Sequence, residues 1–280
     1  MTHHYVCING NVIPAEEAVF NIQNRSIKYG DGLFETMFYR KGKAILLEKH
    51  VHRLLKGMAL LKIQTDERLT LTHIAASIDT LCQKNQLSTA RIRLQVVRQG
   101  EGYYHPKANT FSYILEAETL QQIDYPLNQP ALNVDIYPQP IKTCTALSNI
   151  KSCSAVGYVL ASLHASELGV DDCLVLNSEN RICESTHSNI FLIHEGRIST
   201  PPLSEGCVAG IMREQLIQIM NEESVDSTER SINLEDLLSA EEVFLTNALR
   251  GITSVGSFRG ISYARKQADA WQQKLQSSLI

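Results

Sequence analysis

The chain has 280 residues, 44% of them hydrophobic and 20% charged, with a formal net charge of −4. That length accommodates one large domain or two moderate ones, and two are expected. The slightly acidic balance excludes the basic footprint of nucleic-acid or anionic-membrane binding, which leaves small molecules and other subunits as partners.

The N-terminal stretch MTHHYVCINGNV carries no basic region followed by an apolar core, and no apolar run reaches the roughly 18 residues of a membrane span. A soluble, cytoplasmic protein is expected. YVCINGNVI alternates around Asn-Gly and reads as a hairpin, and LFETMFYRKGKAILL repeats that logic around Lys-Gly. LEKHVHRLLKGMALLKI carries Val51, Leu54, Leu55, Met58 and Leu61 at helical spacing, so a helix over 48–62 should lay one apolar face on those strands. A second helix follows near 70–85, then the β-branched and aromatic strands TARIRLQVVRQG and TFSYILEAETL.

QQIDYPLNQPALN loses periodicity and holds two prolines. It is the candidate interdomain linker, dividing a small domain over 1–118 from a larger one over 131–280, with 119–130 between them. Beyond it, ALNVDIYP reads as a strand, 155–168 as a helix stopped by Gly169, and DCLVLNSENRICES and NIFLIHEGRIST as hairpins. A helix over about 210–221, the strand EEVFLTN, a hairpin around SVGSFRG and a C-terminal helix complete the chain. Helices and strands mix in both halves without a βαβ rhythm, so the class is α+β or mixed α/β. The seven cysteines (7, 82, 144, 153, 173, 183 and 207) are odd in number and never spaced as CxxC, which argues against a disulfide framework and a zinc site and for a reducing compartment.

Lys151 follows Ile150 and precedes Ser152, Cys153, Ser154 and Ala155. A lysine at a strand-to-helix junction is most often a surface residue. Small or apolar flanks change that, because a desolvated lysine loses its proton more readily and becomes an amine nucleophile able to form a Schiff base with a carbonyl cofactor. Pyridoxal-phosphate chemistry further needs an acid beside the pyridine nitrogen and a phosphate anchor. Alternation places Glu184 on the same strand face as Ile182, although a solvated carboxylate is the commoner reading. Arg53 lies beside the apolar stripe of the 48–62 helix, where a solvated charge is again the commoner reading. CVAGIMREQL puts Gly210 at a helix start whose free amides suit an anion, and FLTNALRG puts Asn247 and Ala248 just past a strand end.

Six motifs in order, YGDGLFET (29–36), HVHRL (50–54), SNIKS (148–152), CESTHSNIF (183–191), GIMR (210–213) and TNALRGI (246–252), resemble the class IV (fold type IV) pyridoxal-phosphate enzymes. That family contains branched-chain aminotransferases, D-amino acid aminotransferases and 4-amino-4-deoxychorismate lyase. The resemblance implies the two-domain fold of the D-amino acid aminotransferase type, a homodimer, an interdomain cofactor and a small amine substrate. It makes Lys151 the Schiff-base lysine and proton carrier, Glu184 the partner of the pyridine nitrogen and Arg53 a phosphate ligand. The amides of Ile211 and Met212, with Asn247 and Ala248, complete the cofactor set.

Tyr29 would line the substrate side. Arg93 or Arg98 would bind a substrate carboxylate or pair with carboxylates structurally, and for His105 and His187 an ordinary polar role is the commoner one. GIMR and TNALRGI look most like the lyase, which makes a folate precursor. Ala248 stands where transaminases commonly have a phosphate-binding Thr, and GYYHPK replaces the Arg-x-His trap of the D-amino acid enzymes. A branched-chain or D-amino acid aminotransferase is the alternative, and a cofactor-binding protein without turnover a third.

Overall fold

The computed structural model describes residues 4–19, 21–127 and 129–279. These form two units with their own contacts, Met1–Asp124 with Ile150–Ser154, and Tyr125–Asn149 with Ala155–Ile280.

In the first unit β1 (Tyr5–Ile8) and β2 (Asn11–Pro14) form the expected hairpin, with Asn9 and Gly10 both at positive φ as a type I′ turn requires. A short α1 (Arg25–Tyr29) precedes β3 (Gly32–Arg40) and β4 (Lys43–Ala44), which turn through Lys41 and Gly42. Next come α2 (Leu47–Leu60), α3 (Leu71–Lys84), β5 (Thr89–Arg98) and β6 (Phe111–Thr119). Among the described residues the strands make one antiparallel six-stranded sheet in the order β2-β1-β6-β5-β3-β4.

Helices α2 and α3 cover one face of this sheet. Val51, Leu54 and Met58 of α2 and Ile74, Ile78 and Leu81 of α3 pack on Leu33, Met37, Ile92, Leu94 and Val96. At Gly57 helix and sheet approach so closely that an added Cβ would lie 2.9 Å from Leu33.

The free edge of β3 takes one more extended segment. Phe34 N donates to Lys151 O (2.9 Å), Cys153 N donates to Gly32 O (2.9 Å), and Leu33 faces Ser152 in an antiparallel bridge. The sequence division put Lys151 in the larger domain, whereas here Ile150–Ser154 packs with the first unit. The reason is the open edge at Gly32–Phe34, which short β4 leaves uncovered because it pairs only with Tyr39 and Arg40. The boundary after Asp124 falls inside the 119–130 stretch, and Tyr125 is already buried in the second unit.

The second unit runs β7 (Leu132–Ile136), α4 (Val156–Leu168), β8 (Asp172–Leu176), β9 (Ile182–Ser185), β10 (Asn189–His194), β11 (Arg197–Thr200) and α5 (Ile211–Glu222). It continues through β12 (Ser227–Glu229), α6 (Leu234–Ser239), β13 (Glu242–Asn247), β14 (Gly251–Phe258), β15 (Ile261–Ser262) and α7 (Lys266–Ser278). The sheet order is β12-β11-β10-β13-β14-β7-β8-β9, with β15 on β14. The β7–β14, β7–β8 and β11–β12 pairs are parallel. Val134, Leu174, Ile190, Leu192, Val243 and Val255 form one core with Leu237 of α6. Ala161 and Ala165 of α4 close a second over Cys173, Val175 and Cys183, and Gly169 ends α4 in the left-handed conformation. The sequence did not announce α1, β12 or α6, all six residues or shorter.

Candidate active site

Alternation along β3 puts Glu35 on the helix-covered face, between Leu33 and Met37. A carboxylate there needs partners, and α2 supplies them from positions three residues apart, which share a helical face. Arg53 Nε donates to Glu35 Oε1 (2.9 Å), its Nη2 lies 2.5 Å from Oε2, and His50 Nδ1 lies 2.6 Å from Oε2. Burial alone would raise the Glu35 pKa, but the Arg53 charge and the His50 hydrogen bond outweigh it and bring the pKa to about 2. Burial holds His50 below its ordinary value, with the charges of Arg53 and Lys151 acting in the same direction. Glu35 and His50 lie inside YGDGLFET and HVHRL, yet sequence reasoning passed over them because neither position has a periodic signal for a buried polar group.

Lys151 pairs opposite Phe34 and shares its face, with Nζ 4.5 Å from the centroid of the phenyl ring. Arg93, on the same face of the sheet, places its guanidinium 4.0 Å from that ring. Among the described residues its polar contacts are long, to Gln95 Oε1 (3.4 Å) and Glu116 (3.8 Å). Arg98 is fully engaged: it donates to Asp31 (2.9 Å), Asn109 Oδ1 (2.8 Å) and the carbonyls of Leu61 and Lys62. Of the two arginines considered for a substrate carboxylate, Arg98 therefore braces its own unit and Arg93 retains donors. Tyr29 ends α1, partly exposed, with its ring 5.6 Å from that of Tyr104.

In the second unit Glu184 is 3% exposed. Tyr158 donates to its Oε1 (2.6 Å), the ammonium of Lys142 lies 3.1 Å from the same oxygen, and the Val208 amide donates to Oε2 (2.9 Å). Burial, reinforced by the Glu184 charge, raises the Tyr158 pKa well above its usual value, so the phenol stays a donor. Glu184 does not share the face of Ile182 that alternation would give it. A bulge pairs Leu176 with Ile182 but Val175 with Glu184, so Cys183 is an extra residue and Ile182 and Glu184 face opposite cores. Lys142 and Tyr158 lay outside the sequence-based candidates. Their sequence signal is faint, since Lys142 sits in a loop and Tyr158 in the helix after SNIKS.

The Val208 amide is held in place by neighbouring side chains. The Asn149 side chain donates to Leu203 O and Cys207 O, its backbone carbonyl accepts the Ala209 amide, and Asn189 donates to Val208 O. The same loop leads to Gly210, the N-cap of α5, where no side chain caps the helix. A Cβ at Gly210 would lie 1.8 Å from Asn189 Oδ1, so any larger residue there would displace the Asn189 side chain from Val208 O, and the first amides of α5, those of Ile211 and Met212, begin an uncapped turn.

At the end of β13, Asn247 Oδ1 accepts the amides of Leu249 and Arg250 (3.0 and 2.9 Å) and its Nδ2 donates to Ser188 Oγ. Tyr125 donates to Ala248 O (3.0 Å). Two amides of this turn are thus already satisfied, and Ala248 offers no hydroxyl. His187 is exposed beside Thr186 and Asp172, and His105 is exposed. Among the described residues no helix is long and apolar enough to cross a membrane, and no group of three or more His, Cys, Asp or Glu could hold a metal.

The family model for amino-transferase class IV matches residues 32–258. The chain belongs to amino-transferase class IV. A Methanocaldococcus jannaschii protein provisionally named a branched-chain-amino-acid aminotransferase is 28% identical over 96% of this chain and 93% of its own length. An aminodeoxychorismate lyase of Vibrio harveyi is 27% identical over 88% of this chain and 89% of its own. The crystal structure of a branched-chain aminotransferase from Thermoproteus uzoniensis superposes with a TM-score of 0.89 at 22% identity, covering 99% of this chain and 95% of that one, and so shares the fold.

Class IV enzymes depend on pyridoxal phosphate and act on amines, and this member is such an enzyme. Each unit carries groups whose chemistry fits that cofactor: in the first, the Arg53 guanidinium would suit a phosphate and Lys151 would supply the amine, and in the second, the uncapped start of α5 would suit an anion and Glu184 Oε2 keeps acceptor capacity for a ring N–H.

Proposed function

We propose that this class IV enzyme is a 4-amino-4-deoxychorismate lyase that releases pyruvate and 4-aminobenzoate. The observation that carries the reading is the 247–250 turn. Its Leu249 and Arg250 amides are occupied by Asn247, and Ala248 has no hydroxyl where transaminases of the class commonly place a phosphate-binding Thr. GIMR and TNALRGI support the same reading through their resemblance to the lyase.

Bound pyridoxal phosphate supplies a carbonyl for the substrate amine and an electron-withdrawing ring. Arg53, held by Glu35, and the amides of Ile211 and Met212 anchor the phosphate. Glu184 accepts the ring N–H. Lys151 Nζ takes the proton from the substrate ring carbon that bears the amine. The C–O bond to the enolpyruvyl group breaks, the departing enolpyruvate takes up a proton to become pyruvate, and the six-membered ring becomes aromatic. Arg93 binds a substrate carboxylate and Tyr29 lines the substrate side. The enzyme works in the cytoplasm, in keeping with its seven unpaired cysteines, and as a homodimer, a reading supported by the exposed apolar stripe Val156, Val159, Leu160 and Leu163 along α4.

The test mixes the purified holoenzyme with 4-amino-4-deoxychorismate, without any oxo acid, and measures both products. Equal amounts of pyruvate and 4-aminobenzoate are expected, with far slower transamination of leucine, valine, glutamate or D-alanine. Efficient leucine-dependent glutamate formation from 2-oxoglutarate, with no pyruvate from the chorismate derivative, would replace the lyase by a branched-chain aminotransferase.

A further inference from the structure

Lys142 belongs to none of the six motifs, yet its side chain is about nine-tenths buried. It donates to Ser148 O (2.9 Å) and Tyr158 Oη (2.8 Å) and lies 3.1 Å from Glu184 Oε1. Its three protons thus have three acceptors. Tyr158 donates to the same Oε1, so that oxygen receives two donors, as many as its lone pairs admit. Among the described residues Oε2 accepts only the Val208 amide, so the carboxylate's remaining acceptor site is on Oε2.

Stability alone does not account for this lysine. A buried ion pair commonly contributes little or less than well-packed apolar groups of the same volume. The position also dictates the kind of effect. A fixed positive charge on one side of a carboxylate weakens the negative potential felt by a proton on the other side, and low local polarity makes that weakening larger than in water.

We propose that Lys142 is a positioning residue for Glu184: with Tyr158 it fixes the carboxylate so that Oε2 is the oxygen offered to the cofactor, and its charge loosens the hold of Glu184 on a proton at the pyridine nitrogen. The proposal rests on the assignment of Glu184 to that nitrogen. It makes the electron-withdrawing power of the cofactor a property set by Lys142 from behind the contacting residue.

The experiment reads the ring nitrogen directly, by 15N NMR of pyridoxal phosphate labelled at that atom and bound to the wild type and to four variants. Lys142→Met and Lys142→Gln remove the charge, and both should move the resonance toward the protonated-pyridine position. Lys142→Arg keeps the charge and should leave the resonance near that of the wild type. Glu184→Gln should move it the opposite way. If Lys142→Met fails to fold, Lys142→Gln, which keeps an amide donor for Oε1, decides alone against Lys142→Arg. Resonances that coincide with the wild type in both charge-removing variants, while Glu184→Gln shifts, overturn the role of Lys142 and leave Glu184 in place. A Glu184→Gln resonance that also stays put removes the assignment of Glu184, and the proposal with it.

Discussion

Glu35 and Glu184 are both buried carboxylates, 1% and 3% exposed, and each receives donors on both oxygens, yet they are assembled differently. Glu35 is met by two side chains of one helix, His50 and Arg53, whose spacing follows from helical geometry. Glu184 is met by a loop lysine, a helix tyrosine and a backbone amide held by two asparagines. The first arrangement is a charge cluster set against the apolar core, sensitive to the loss of any charge, with Arg53 still 13% exposed. The second is a backbone-supported acceptor, sensitive to loop geometry.

The largest expected effect lies in the first unit. Lys151→Ala should abolish turnover, and borohydride reduction followed by mass spectrometry should place the cofactor adduct on Lys151; an adduct on another lysine refutes the assignment. Next, Glu35→Ala strands the Arg53 guanidinium beside a buried imidazole. It should cost about 3 to 5 kcal/mol in urea unfolding, the cost of breaking a buried pair by removing one partner. A loss under about 1 kcal/mol would mean that solvent reaches the cluster.

The same cluster predicts an acid limb. His50, with its folded pKa below the ordinary 6.5, costs stability as pH falls below that value, because the unfolded chain takes the proton first. The Glu35 contribution is complete above 4.5 and is lost as pH falls toward about 2, amounting to about 3 kcal/mol. Unfolding midpoints measured from pH 7 to 3 should therefore decline in the wild type; a flat profile breaks the comparison.

Arg53→Ala should weaken cofactor binding by about 1.5 to 3 kcal/mol, the worth of a charge-assisted phosphate contact. Glu184→Gln should lower single-turnover rates more than affinity, and identical profiles in the two variants would show that the two carboxylate regions do not differ in role. The smallest effect is expected for Tyr125→Phe. It removes the donor to Ala248 O and should cost about 1 kcal/mol, read as a lower unfolding midpoint with turnover nearly unchanged.

What could be read from sequence follows the same division. The Asn9-Gly10 and Lys41-Gly42 turns, the α2 stripe and the Gly169 stop are local signals, and each element stands where the spacing put it. Arg53 was legible as a candidate because it sits in a periodic helix. Its dependence on Glu35 was not, since the partner lies on a strand paired only in three dimensions. The bulge at Cys183 escaped notice because one extra residue reverses a face without altering composition. Lys142 was silent for a related reason: a lysine in an aperiodic loop reads as solvated until the fold brings a carboxylate to it.

The short segment on the edge of β3 has a consequence for the order in which the protein is made. Synthesis delivers the first six strands and three helices, then passes into the second unit, and only later produces Ile150–Ser154. A chain emerging from the ribosome can form most of the first unit early, as domains generally do. Its last edge segment, with Lys151, arrives only after part of the second unit has been translated. A fragment ending at Asp124 would carry the Arg53 cluster and lack the lysine, so severing the chain at that junction cannot yield an independent and chemically complete half.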